Sequence, residues 1–202
     1  MRSALVFTIA AVSLVGCAAP INVRNAEVHA QAGYAAQQRG DWDAAMRQFA
    51  QAVVNADLGG AEPRGRAIVN YEYGRALGVS CRYSEAEKYL LRSKEFDEKQ
   101  GRSPYLPLYE LGLISEKQGN SLQAANYFSQ LIPLMEKEGL RSRYPLGVAD
   151  AYDRYASALQ TNGDSEKASI QRGEANKIRA ANPGAARFGT VTPYGSACPT
   201  GS

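Results

Sequence analysis

The 202-residue sequence predicts an all-α solenoid of about four helix-turn-helix repeats, and three observations carry that prediction. A turn residue followed by small and bulky residues at fixed offsets recurs four times; another small residue stands seven positions ahead of each turn; and residues that cap helices sit at or just after the turns. Composition agrees with a folded chain, since 45% hydrophobic and 21% charged residues argue against wholesale disorder and against a multi-span membrane protein. A net charge of +3 gives no support to nucleic-acid binding, which needs a basic face opposed to phosphates. One His and three Cys leave little for a metal or a nucleophile-base pair, so no catalytic, metal or cofactor residues are expected.

The first hairpin is expected at about 24–39 and 42–56, with Gly40 as the turn, Asp41 as the cap, and Ala44, Ala45, Phe49 and Ala52 facing Gly33. The second, at 64–79 and 83–99, turns at Cys81, runs from Tyr83-Ser84-Glu85-Ala86 to Leu90 and Ser93, and sets Gly74 opposite. Ser84 and Glu87 have the spacing of a reciprocal cap. The third, at 105–118 and 121–138, has Gly119 as its turn, Asn120 and Gln123 as a second reciprocal cap, Ala124, Phe128 and Leu131 as its packing face, and Gly112 opposite. Pro133 is expected to bend its second helix or cut it short. The fourth, at 145–161 and 164–181, turns at Gly163, is capped by Asp164, and pairs Ala156 with Ala168, Arg172 and Ala175.

This pattern resembles the tetratricopeptide repeat (TPR), in which small residues on helices A and B let the two approach closely while an aromatic fills the space beside them. The turn spacings of 41, 38 and 44 exceed the usual 34 and imply longer helices or loops. The resemblance covers residues 26–182 and implies a superhelix whose concave face, made mainly by A helices, binds other proteins. Transferring the family register places Tyr34, Tyr71, Arg75, Tyr109, Leu113, Lys117 and Asp153 among the groove-facing residues. Tyrosine offers a flat apolar face and a hydroxyl at low entropic cost, which suits a docking surface. The alternative is that Tyr71 and Tyr109 pack against neighbouring helices, because one residue of register turns groove into core. The family's chaperone carboxylate clamp is absent: Tyr71 and Tyr109 replace its Lys, and Arg75 and Leu113 its Asn.

Residues 1–16 read as a signal peptide, with Arg2 ahead of a twelve-residue apolar run, Ala4 to Val15, too short for a spanning helix. Leu14-Val15-Gly16-Cys17 resembles the bacterial lipobox, which implies cleavage before Cys17, its lipidation, and a tether over 17–25. The alternative, an ordinary secretory signal cut after Ala19, would put Pro20 directly beyond the scissile bond. Two or more acyl chains, at about 0.8 kcal/mol per buried methylene, hold a protein at a membrane stably. Ala18 in place of the Asp that retains enteric lipoproteins implies the periplasmic face of the outer membrane.

Residues 183–202 are expected to form a flexible tail, since 182–202 hold four Gly, three Pro and no acidic residue. Export places Cys81 and Cys198 in an oxidising compartment; a disulfide between them, free thiols and an intermolecular link all remain open. His29 is expected to pack rather than to act as base or ligand. Together these readings give a lipid-anchored adaptor with protein partners in envelope assembly, such as pilus, secretion or cell-wall machinery. The alternatives are an envelope hydrolase and a small-ligand-binding lipoprotein.

Overall fold

Four antiparallel helix pairs stack in series in the structure, a computed structural model that describes residues 18–185 and 191–198. Among the described residues the helices are α1 Ala18–Gln38, α2 Trp42–Leu58, α3 Pro63–Val79, α4 Tyr83–Lys99, α5 Tyr105–Lys117, α6 Ser121–Lys137, α7 Leu140–Arg143, α8 Pro145–Thr161 and α9 Ser165–Ala181. The pairs are α1/α2, α3/α4, α5/α6 and α8/α9, and each second helix also packs on the first helix of the next pair. The chain is a TPR-like α-solenoid.

Three of the four pairs close on the same device. A Cβ on Gly33 would lie 2.6 Å from the Phe49 ring, one on Gly74 2.7 Å from Leu90, and one on Gly112 2.7 Å from Phe128. Only a missing side chain lets these helices approach that closely. In the fourth pair Ala156, Ala168 and Ala175 fill the corresponding space and are fully buried.

The turns between paired helices use the left-handed backbone at Gly40, Gly119 and Gly163, followed by Asp41, Asn120 and Asp164, whose side chains accept from Ala44, Gln123 and Lys167 N–H. Such a cap contributes about 1 kcal/mol. In the second pair Cys81 takes the left-handed position with φ 61°, uncommon for a residue with a Cβ. There the cap position falls on Arg82, which makes no side-chain cap, and Ser84 lies inside α4. The expected Ser84–Glu87 cap thus lies two residues beyond the cap position; Arg82 instead pairs with Glu85 at 2.6 Å. Helix α6 runs past Pro133 to Lys137 without being cut short.

Two other expectations are corrected. Residues 18–25, expected to be a tether, form the first turns of α1. Gly59 at the end of α2 explains their order, since a Cβ there would lie 2.7 Å from Val23 N and 2.9 Å from Ala19 O, so the two helices meet backbone to backbone. The tail expected to be flexible is irregular but docked over 191–198, where Thr192 and Tyr194 are buried. The signal segment 1–16 and Cys17 lie outside the described residues, as do 186–190 and 199–202. Among the described residues no helix is long and apolar enough to cross a membrane.

Candidate functional site

The face formed by α1, α3, α5 and α8 is where sequence and register place the groove, and its centre is filled by the chain's own C-terminal segment. Arg75 of α3 and Glu110 of α5 form the polar base. Arg75 Nη1 donates to Glu72 Oε2 at 2.9 Å, Gln37 Nε2 reaches the same oxygen at 3.0 Å, and Arg75 Nε lies 3.3 Å from Glu110 Oε1. Onto this base the tail sets two hydroxyls. Thr192 accepts from Arg75 Nε at 2.9 Å and donates to Glu110 Oε1 at 3.0 Å, while Tyr194 donates to Glu110 Oε2 at 2.8 Å. Tyr71 donates a third hydroxyl to Glu110 at 3.2 Å.

Gly78 provides the floor, because a Cβ built on it would overlap the Tyr194 ring. The backbone N–H of Ala197 donates to the Val79 carbonyl at 3.2 Å, near the end of α3. The structure joins Cys198 to Cys81 in a disulfide with Cα atoms 5.1 Å apart across 117 residues of sequence. At the other end of the segment Val191 borders an apolar cavity of about 50 Å³ lined by Tyr105, Tyr109, Leu131, Met135 and Leu140 among others.

Burial pushes the Tyr71 and Tyr194 hydroxyls well above their usual range, with the Glu110 charge adding to the shift. Both therefore remain protonated donors. Burial also raises Glu110, against the downward pull of Arg75 and the three hydroxyls. Burial works against the Arg75 charge, but Tyr71, Glu72 and Glu110 outweigh it and leave its pKa raised.

A pH dependence follows. Above the ordinary carboxylate value of 4.5 and below its own raised value, folded Glu110 holds a proton that the unfolded chain has released. The stability this contributes is complete below 4.5 and is lost as pH rises through the raised value. Urea unfolding at a series of pH values is expected to show wild type losing more stability toward neutral pH than Glu110→Gln. Equal slopes would contradict the assignment.

The residues expected in the groove separate into three groups. Tyr71 and Arg75 are in it but covered by the tail. Tyr34 and Tyr109 are half-buried at its flanks: Tyr34 lies edge-on to Phe49 at 5.3 Å and is pushed up to about 12 by burial and by Glu72, and Tyr109 lines the Val191 cavity. The third group divides: Leu113, 4% exposed, is corrected to the core, whereas Asp153 of α8 pairs with Arg179 of α9 and Lys117 is exposed at the last position of α5. A step of one residue turns a helix by about 100°, enough to exchange groove for core. His29, half-buried, bonds Gln48 at 2.8 Å. Sequence reasoning missed Glu110, Thr192 and Tyr194; the available signal was a single acidic residue inside the apolar run Leu106 to Ile114.

The inner face nearer the N-terminus stays open. An apolar cleft of about 260 Å³ between α1 and α3 is lined by Val23, Ala26, Ala30, Tyr34 and Ile68. A more polar cleft of about 580 Å³ is lined by Ile68, Arg64, Asp97, Arg102, Tyr105 and Glu138. Ile68, 42% exposed, borders both.

No family model and no curated protein matches the chain. Among solved structures it is similar to BtubC (BKLC) from P. vanneervenii, with TM-score 0.71 and 16% identity over 82% of this chain and 69% of that one. It is also similar to MamA, with TM-score 0.63 and 16% identity over 83% and 87% of the two chains. A kinesin light chain with nearly identical TPR-like repeats from Podospora anserina gives TM-score 0.64 and 20% identity over 83% and 78%. At these identities the likeness establishes the fold alone, a stack of TPR-like repeats.

Proposed function

We propose that this chain is a scaffold lipoprotein, anchored through acyl chains on Cys17 to the periplasmic face of the outer membrane, that binds protein partners in envelope assembly such as pilus, secretion or cell-wall machinery. The observation that carries the binding role is the pair of open clefts meeting at Ile68. Stacked repeats create an extended surface that no single hairpin has, and such surfaces suit laid-on helices or extended peptides. The Cys81–Cys198 pair supports an oxidising compartment. A small-ligand role finds less support, because the apolar cavity beside Val191, about 50 Å³, falls far below the roughly 300 Å³ at which ligand pockets begin, and the larger clefts of about 260 and 580 Å³ are open rather than enclosing.

Two measurements test the parts separately. Membrane fractionation is expected to find wild type with the outer membrane and Cys17→Ser released; an unchanged distribution would remove the anchor. A photoreactive residue at position 68 is expected to cross-link in cells to one reproducible envelope protein, and to lose it when Tyr34 on the facing wall of the cleft is replaced by Glu. Absence of any cross-link would remove the groove as a partner site.

A further inference from the structure

The contacts of the docked segment describe a binding site in chemical terms. Gly78 leaves room for a flat ring on α3, and Glu110 accepts both tail hydroxyls. The Val79 carbonyl accepts a main-chain N–H, and Val191, 53% exposed, borders an apolar cavity at the other end. None of these features is needed to close the helix pairs, which rest on Gly33, Gly74 and Gly112 instead. With the segment gone, buried Glu110 would keep only Tyr71 and Arg75. A buried acceptor that loses donors is penalised, so the vacated face selects a segment that returns two hydroxyls.

The resident segment is hard to displace while Cys198 stays bonded to Cys81, because the tether keeps its local concentration far above that of any free competitor. We propose that the centre of this face is a binding site for a segment of a partner protein carrying a Thr and a Tyr two residues apart, with Thr192–Tyr194 as its resident occupant, exchanged when a dithiol reduces Cys81–Cys198. In that exchange the dithiol becomes a disulfide and passes two electrons and two protons to the pair, leaving Cys81 and Cys198 as thiols. The inference deepens the scaffold reading and rests on it.

The test uses the full chain in detergent and a fluorescein-labelled synthetic peptide of the sequence of residues 189–197, read by anisotropy. The peptide is expected to leave the oxidised chain unbound and to bind the chain reduced with dithiothreitol. Binding is expected to be roughly tenfold tighter again in the doubly substituted Tyr194→Ala, Cys198→Ser chain, whose changes lie in the tail and leave the helices untouched. A peptide with Phe in place of the tyrosine is expected to bind roughly tenfold more weakly, since a hydrogen bond to the buried Glu110 is lost. Binding to no form, or equally to oxidised and reduced chain, overturns the proposal. So does a reduction-induced dimer in light scattering, which would assign the face to a second copy. Cross-linking from position 68 lies outside this stretch and is read on the oxidised chain. Peptide failure with that cross-link intact therefore removes this site alone, and loss of the cross-link with peptide binding intact removes only the wider scaffold role.

Discussion

Replacing Phe128 by alanine is expected to lower the unfolding free energy by about 3–5 kcal/mol, the range for emptying a well-packed aromatic site. Phe128 is fully buried and lies in the gap that Gly112 leaves between α5 and α6. Collapse into the vacancy is restricted on one side by the α5 backbone, since helix pairs that approach this closely cannot close further. The complementary change tests the same contact from the other direction. Gly112→Val adds side-chain atoms where even a Cβ would sit 2.7 Å from the ring, and overpacking of that kind costs about 1–3 kcal/mol. Equilibrium urea unfolding followed by circular dichroism measures both. A loss below about 1 kcal/mol for Phe128→Ala would mean that the third pair is not closed by this contact.

Cys198→Ser is expected to be comparably damaging, for a different reason. The bridge closes a loop of 117 residues, and in the chain-entropy account a loop of that size restricts the unfolded chain by about 4–5 kcal/mol. Measured bridges commonly deliver about 2–5 kcal/mol, and the loss is expected in that range, equal in wild type under a strong dithiol. Part of it comes from the folded side: an untethered tail exposes Tyr194 and Thr192 and leaves Glu110 with fewer donors. Denaturant midpoints of oxidised wild type, reduced wild type and Cys198→Ser check this. Identical midpoints would mean the bridge restrains nothing.

The helical array is legible in the sequence because its contacts are local and periodic. Gly33 and Phe49, Gly74 and Leu90, and Gly112 and Phe128 lie at matching offsets in successive pairs, and the turns that separate the helices carry their own chemistry at Gly40, Gly119 and Gly163. The second turn misled only where that chemistry was absent. Arg82 holds the cap position without capping, so Ser84 drew attention two residues too late. The site is legible in part. Tyr71 and Arg75 fall on the inner face because the register of α3 follows from Gly74, whereas Leu113 sits beside Gly112 on the side of α5 that turns into the core.

The tail was not legible, because nothing periodic announces it. Its docking depends on single hydroxyls of Thr192 and Tyr194 reaching one carboxylate more than eighty residues earlier, on Glu110. Gly and Pro near these residues give the composition of a loose segment, and the compositional argument fails once a cysteine and two buried hydroxyls hold it down. Cys81 was the one sequence hint. A side chain in a left-handed turn position used elsewhere by glycine is tolerable where a bridge fixes the backbone.

Hydrogen exchange followed by mass spectrometry on the full chain, oxidised and then reduced, tests the central assignment most directly. The tail covering the inner face predicts slow exchange across Val191–Cys198 in the oxidised chain, lost on reduction while α2, α4, α6 and α9 keep theirs. Rapid exchange of that segment in the oxidised chain would contradict it, leaving the inner face uncovered from end to end.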